Sequence, residues 1–392
     1  MSAMRLVIIT PRYWPLVGET ERWVAHLVQA IRTRVEQVTV LTARWDTTWP
    51  REVVYQETRV VRLPHAPRSG WHWYRYARSV GRWLREHASE MDLAYTANLR
   101  HDATAAVGAL KKRQVAVVVR AEAGDDRWLE TVRRRGRLKR LISMADAMIA
   151  PTRSLEAELL TTGCGRFQVR HIPVGVPRLD SRTAATRFEA RAALAKANHD
   201  LRIAEYAPLA VAIGRLGKGR NLNRLVDAWG SIAARWPAAR LWFLGDGPLR
   251  EPLYERIRDA GWHHQVFLPG TFDELAEVFM AADVFVAPEP THEGATIQIE
   301  AMSAGIPVIA ADTPDNRDIM EHGVHGLLVA PGNRTALSAA LETLLESPDI
   351  AAQYGAAART RVEQRHSISQ IAEEHFQLFE RLVARKGTGG LG

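Results

Sequence analysis

Short apolar runs alternate along this chain with stretches whose apolar residues return every three or four positions. In the first half, "RLVIIT" (5–10) reads as a buried strand, "ETERWVAHLVQAIR" (19–32) as an amphipathic helix and "QVTVLTA" (37–43) as the next strand. Further strands are predicted at "TRVVRLP" (58–64), "DLAYTA" (92–97) and "VAVVVRA" (115–121). A helix is predicted at 136–145, a short strand at "AMIAP" (147–151), a helix at 154–163, and then "VRHIPVGV" (169–176). From about residue 180 to 200 the text turns alanine- and arginine-rich without strand periodicity, as a linker with a helical piece would.

Alternation then restarts. "LAVAIGR", "ARLWFLGDG", "QVFLPG", "VFVAPEP" and "PVIAA" read as strands, each followed or preceded by a helical pattern, and a last long helix covers about 369–384. Strands alternating with helices argue for parallel sheets covered on both faces, and the restart argues for two of them. The expected fold is α/β, with two Rossmann-like, doubly wound parallel-sheet domains facing a cleft. The first domain takes residues 1–178, a linker 179–203 and the second domain 204–368; residues 387–392, with "GTGGLG", read as a disordered tail.

Composition narrows the class. Apolar content of 46% and charged content of 24% are those of a soluble globular protein, and no apolar run approaches a membrane span. A single cysteine, Cys164, excludes a disulfide framework and a cysteine-rich metal site, and a reducing cytoplasm is the natural compartment. Charge is uneven. Residues 1–180 hold 30 Lys+Arg against 18 Asp+Glu, whereas 181–392 hold 22 against 26. The excess lies in runs such as "RRRGRLKR" (133–140) and "WHWYRYARSVGRWLREH" (71–87). Arginine and aromatic side chains at helical spacing suit a peripheral contact with an anionic membrane, at its inner face, or an acidic ligand. A merely solvated arginine-rich surface explains them equally well. Nucleic acid is disfavoured, because no zinc-finger spacing, ribonucleoprotein motif or basic zipper is present.

In open parallel sheets, ligands sit beyond the carboxyl ends of the strands, so chemistry is sought in those loops. "PRYWPLVGETERW" places Gly18 at a helix start, where backbone approaches closely, although Glu19 beside it opposes an anion. "AIGRLGKGRNLNRL" crowds Arg215, Lys218 and Arg220 into one strand-to-helix connection, enough positive charge to neutralise a diphosphate. "FLGDGPLRE" alone reads as a compact connector. In "APEPTHEGATIQIEAMSAGIPVIAAD", Gly294 and Ala295 precede a helix whose free amides favour phosphate. Glu300 within that helix suits a ribose diol, and Glu293 in the loop suits sugar hydroxyls.

Together these loops resemble the retaining GT-B-fold glycosyltransferases of family four, the glycosyl transferases of group one. The matching text is "GRL", "RN", "FLGDGPLR", "ADVFVAPEPTHEG", "EAMSAGIPVIAAD" and "HGVHGLLVAPGN", in order, over about residues 209–331. The first half matches more loosely, at "YWPLVGETERWVAHL", "VVVRAEAGDD", "ADAMIAPTRSLEAEL" and "HIPVGV". The resemblance implies a closing helix, about 369–386, that packs back on the first domain. It implies a nucleotide-sugar donor of UDP, GDP or ADP type and a glycan, lipid-linked or small-molecule acceptor. Transfer would proceed with retention, without cofactor or metal and without a protein nucleophile, in cell-surface glycan, glycolipid or polysaccharide synthesis.

Residue by residue, Arg215 and Arg220 would grip the diphosphate, assisted by Lys218, with arginine at 220 replacing the family's lysine. Glu300 would bind the ribose, and Ala295 and Thr296, with Gly294, would hold phosphate and sugar through backbone amides. The first acidic position is out of register by one residue: either the loop has shifted and Glu293 serves, or His292 stands there. Gly294 after Glu293 favours Glu293. Arg215, Arg220 and Glu293 are thus the catalytic expectation, with Gly18 on the donor and Glu19, Arg120 and Glu122 towards the acceptor. Other departures are Glu19 in the usual glycine pair, Val174 for an asparagine, and Arg120 and Glu122 where a histidine is common. These departures admit an alternative, a non-catalytic homologue that binds sugar nucleotide or serves as a partner subunit.

Overall fold

In both halves the apolar runs become parallel strands buried on both faces, and the periodic stretches become the helices that cover them. The computed structural model describes residues 2–16, 18–122, 126–288 and 295–388. It contains two units, one built from Met1–Gly175 with Ile368–Gly392 and the other from Val176–Ser367.

Unit 1 contains β1 (Ser2–Ile9), α1 (Glu19–Ile31), β2 (Val35–Ala43), β3 (Glu52–Tyr55), β4 (Thr58–Leu63), α2 (Gly70–Glu86) and β5 (Leu93–Thr96). There follow α3 (His101–Leu110), β6 (Ala116–Arg120), α4 (Asp126–Arg134), α5 (Gly136–Ile142), β7 (Ala147–Ala150), α6 (Arg153–Thr161) and β8 (Val169–His171). The sheet runs β3-β4-β2-β1-β5-β6-β7-β8 and is parallel except for β3. That antiparallel edge strand was not expected from the sequence. Its two-residue turn is Gln56-Glu57, both with positive φ (46° and 61°), instead of the Asn-Gly or Asp-Gly pair that marks such hairpins.

Unit 2 begins with α7 (Ala184–Ala197) and continues through β9 (Leu209–Ile213), α8 (Leu222–Arg235), β10 (Arg240–Leu244), α9 (Arg250–Asp259) and β11 (Val266–Gly270). Next come α10 (Ala276–Ala281), β12 (Val284–Ala287), α11 (Ala295–Ser303), β13 (Val308–Ala311), α12 (Pro314–Ile319) and β14 (Gly326–Val329). Helices α13 (Arg334–Glu346) and α14 (Pro348–Arg365) close it, and α15 (Ile368–Thr388) returns to unit 1. The six strands are all parallel in the order β11-β10-β9-β12-β13-β14. Sequence order therefore reverses direction between β9 and β12, the switch point where a crevice opens in a doubly wound sheet.

Residues 179–203, read from sequence as a linker, belong to unit 2. Helix α7 is capped by a reciprocal Thr183–Thr186 box, and its arginines anchor it to the strand ends. Arg182, Arg187 and Arg191 all pair with Asp283, which also accepts the Leu209 amide at 2.8 Å. The buried Arg191 guanidinium donates further to the carbonyls of Ala204, Ala207 and Ala281. Burial pulls its pKa down to about 10 against the opposing pull of Asp283. The anchor is ionic, so no apolar periodicity announces it. At the other end, α15 continues to Thr388, into the stretch expected to be disordered. No helix among the described residues is long and apolar enough to cross a membrane.

Candidate functional site

The basic loop expected to carry donor chemistry lies between β9 and α8, at the carboxyl edge beside the switch point. Arg215 and Lys218 are exposed, while Arg220 is 7% exposed. The Arg220 guanidinium folds back on its own loop and donates to Ile213 O at 3.2 Å. Asn221, in the left-handed region, donates through Nδ2 to Pro288 O at 3.0 Å. This bond ties the basic loop to the end of β12, the neighbouring strand across the switch.

The Gly-Asp-Gly turn after β10 is more than a connector. Gly214 donates to Leu244 O at 2.8 Å, Leu216 to Asp246 O at 2.9 Å and Leu249 to Leu216 O at 2.9 Å. A Cβ on Gly245 would collide with the Gly214 carbonyl, and one on Gly247 with the Leu216 carbonyl. Both glycines also hold positive φ, 146° and 156°. The turn is thus the seat on which the arginine loop rests.

On the far side of the switch point, Thr296 and Glu300 stand in α11 and are buried, Glu300 to 2% exposure. A carboxylate this deep has a polar environment in the folded chain. Ala295 opens the helix. His292 and Glu293, the two candidates for the first acidic position, and Gly294 lie outside the described residues.

In unit 1, Gly18 is the N-cap of α1 and Glu19 its first residue; the Gly18 backbone is extended, so no positive φ demands glycine there. Thr20 Oγ1 donates to Glu122, which ties the α1 start to the segment after β6. Arg120 ends β6 at 4% exposure, its guanidinium 4.9 Å from the Trp23 ring centroid. Gly18, Glu19 and Glu122 are therefore gathered at one edge, and Arg120 turns in beneath α1.

The model of the family described as Glycosyl transferases group 1 matches residues 196–361, and that of Glycosyltransferase Family 4 matches residues 20–178. Sucrose-phosphate synthase from Thermosynechococcus elongatus superposes with a TM-score of 0.82 at 22% identity, covering 97% of this chain and 100% of that one. The chain belongs to the GT-B glycosyl transferases of group 1.

Other likenesses to this group 1 glycosyl transferase agree with that placement. Anabaena HepE in complex with UDP-glucose superposes with a TM-score of 0.76 at 16% identity, over 96% of this chain and 100% of that one. Sulfoquinovosyl transferase SQD2 of Arabidopsis thaliana is 30% identical over 242 residues, 59% of this chain and 44% of that protein. A GDP-mannose-dependent phosphatidylinositol monomannoside mannosyltransferase of Mycobacterium tuberculosis is 34% identical over 161 residues, 39% of this chain and 42% of the relative. The chain thus spans less than half of either of these two relatives. All are named as transferases or synthases except HepE, and none favours the non-catalytic alternative.

Several parts of the glycosyl transferase escaped the sequence reading. The glycine seat was one, since spacing alone does not show what a turn leans on. A second is the buried cluster of Trp23, Tyr95, His375 and Phe379 around Arg120, which joins α1, β5 and α15. His375 Nδ1 donates to Ile371 O at 2.7 Å, so Nε2 carries no proton in the neutral ring. Burial holds its pKa at about 4, with the Arg120 charge adding to the effect. An unfolded histidine titrates near 6.5, so below that pH the unfolded chain takes up a proton that the fold refuses. Stability should fall by roughly 2–3 kcal/mol from this group between about pH 7 and pH 4.5, and be almost independent of it above pH 7. Urea unfolding of wild type and His375→Gln at both pH values checks this; the variant should lose less on acidification, and equal losses would refute it.

Proposed function

We propose that this enzyme transfers a sugar from a nucleotide-sugar donor to an acceptor hydroxyl, with retention at the anomeric carbon. The observation that carries the reading is the arginine loop of β9, tied by Asn221 to β12 at the switch point of the sheet. The loop with Arg215, Lys218 and Arg220 follows β9 and helix α11 comes after the neighbouring strand β12, an order suited to binding a diphosphate. As the bond to the sugar breaks, negative charge grows on the departing diphosphate, and Arg215 and Arg220 stabilise it without metal. Glu300 accepts hydrogen bonds from the ribose hydroxyls. Glu293 meets the donor sugar, with the amides of Ala295 and Thr296 beside it. The acceptor hydroxyl attacks on the face the diphosphate leaves, and Glu19 and Glu122 are the residues assigned to binding the acceptor.

HepE, likewise a GT-B protein, is described in complex with UDP and with UDP-glucose, which supports a nucleotide-sugar donor and puts UDP first among the bases to test. Calorimetric titration with UDP, GDP and ADP tests the site directly. One nucleotide should bind selectively, and Glu300→Ala should weaken it about 10- to 100-fold, the worth of charge-assisted hydrogen bonds. Failure of all three nucleotides to bind would overturn the reading.

A further inference from the structure

Helix α2 turns one face to the core through Tyr76, Val80, Gly81 and Leu84. Its opposite face, at spacings of three and four, carries Trp71, Tyr74, Arg75, Arg78, Arg82 and Arg85, all exposed. Trp71 is 67% and Tyr74 52% exposed, and their rings stack on each other at 5.4 Å, away from any core. Isolated exposed aromatics are ordinary; a stacked pair at the head of an arginine row is not.

The arginines of this row also lack carboxylate partners among the described residues. Several surface arginines elsewhere on unit 1 have them, such as Arg5 with Asp92, Arg32 with Glu57, Arg59 with Glu52 and Arg153 with Glu156, while scattered ones such as Arg51 and Arg113 have none there. Among the described residues, none of the four on α2 makes an ion pair; Arg75 reaches only His65, at 3.5 Å. Helix α2 packs on α3, and α3 on α5. That same layer exposes Arg135, Arg137 and Arg140, again without carboxylate partners among the described residues. Between residues 68 and 142 the sequence holds 17 Lys+Arg and 8 Asp+Glu. Like charges held this close repel, and the cost is removed when an extended anionic surface covers them.

We infer that the exposed face of α2 is a docking surface for an anionic lipid bilayer. Trp71 and Tyr74 lie at the headgroup level, where rings with one polar atom are favoured, and the arginine row meets the lipid phosphates. Helix α2 lies with one side against α3, and the sequence carries no zinc-finger spacing, ribonucleoprotein motif or basic zipper that would direct this face to nucleic acid. The inference extends the transferase reading, because a surface of this kind would bring unit 1 to a lipid-linked acceptor. It is testable without any acceptor.

Sedimentation with vesicles of phosphatidylcholine alone, and of phosphatidylcholine with phosphatidylglycerol, measures it on the full chain. Wild type should bind the anionic vesicles, release them as salt rises and leave neutral vesicles in solution. Arg75→Ser/Arg78→Ser/Arg82→Ser should weaken binding roughly a hundredfold, each cation near an anionic surface being worth about fivefold. Trp71→Ser/Tyr74→Ser should weaken it too, while leaving the salt dependence intact. These side chains are exposed, so circular dichroism and nucleotide titration should be unchanged in both variants. Nucleotide binding lost in the wild type would fault the transferase reading alone. Equal binding to neutral vesicles, no binding to either kind, or a triple variant as strong as wild type would overturn the docking surface. So would retention by duplex DNA with no vesicle binding, which would assign the face to nucleic acid.

Discussion

Replacing Arg220 with alanine is expected to cut turnover of the nucleotide sugar by about 10²- to 10³-fold, the usual cost of removing one group that stabilises a developing anion. Two losses combine. The positive charge goes, and so does the hydrogen bond that fixes the loop by gripping Ile213 O. Arg220→Lys keeps the charge without the planar fork and should recover only part of the rate. Arg215→Ala separates the terms, because Arg215 is exposed: stability should stay within about 0.5 kcal/mol while turnover falls. The assay is release of free nucleotide from the donor selected by titration. Full turnover in both alanine variants would remove the arginine loop from the mechanism.

Replacing Asp283 with alanine should give the largest loss of stability, about 3–5 kcal/mol, typical of stranding a buried charge by removing its partner. Three arginines on α7 and the segment before it lose their shared carboxylate, and the Leu209 amide loses its acceptor. For a unit of this size the melting temperature should fall on the order of 10 °C. Arg153→Ala, which breaks an exposed pair with Glu156, is the contrast and should cost no more than about 1 kcal/mol. Similar melting temperatures for the two variants would show that α7 is held by something other than its arginines.

Much of the fold was legible because a parallel strand covered on both faces must be continuously apolar, and "LVIIT" and "LAVAI" can hardly be anything else. The donor loop was legible for a related reason: three cations in six residues at a strand's end are conspicuous against apolar text. Helix α3, "HDATAAVGAL", was not, because alanine-rich packing leaves too little polar contrast to show a period. Helix α7 was missed as part of unit 2 because its attachment is electrostatic and depends on Asp283, distant in sequence. The hairpin at Gln56-Glu57 was missed because residues poor at positive φ fill its turn. The glycine pair at 245 and 247 could be seen as a turn, but its partner, the backbone of Gly214 and Leu216, is a tertiary fact. The link from Thr20 to Glu122 is invisible for the same reason.

Because α15 places His375 and Phe379 in the core of unit 1, that unit is interrupted in the chain by the whole of unit 2. On the ribosome, residues 1–175 emerge first yet lack the helix that completes their packing. Unit 2, a continuous segment, has every strand it needs once Ser367 is out. The customary order, amino-terminal domain first, is therefore inverted at the final step, and the nascent first unit must wait with the apolar faces of Trp23 and Tyr95 unsealed until the last helix arrives.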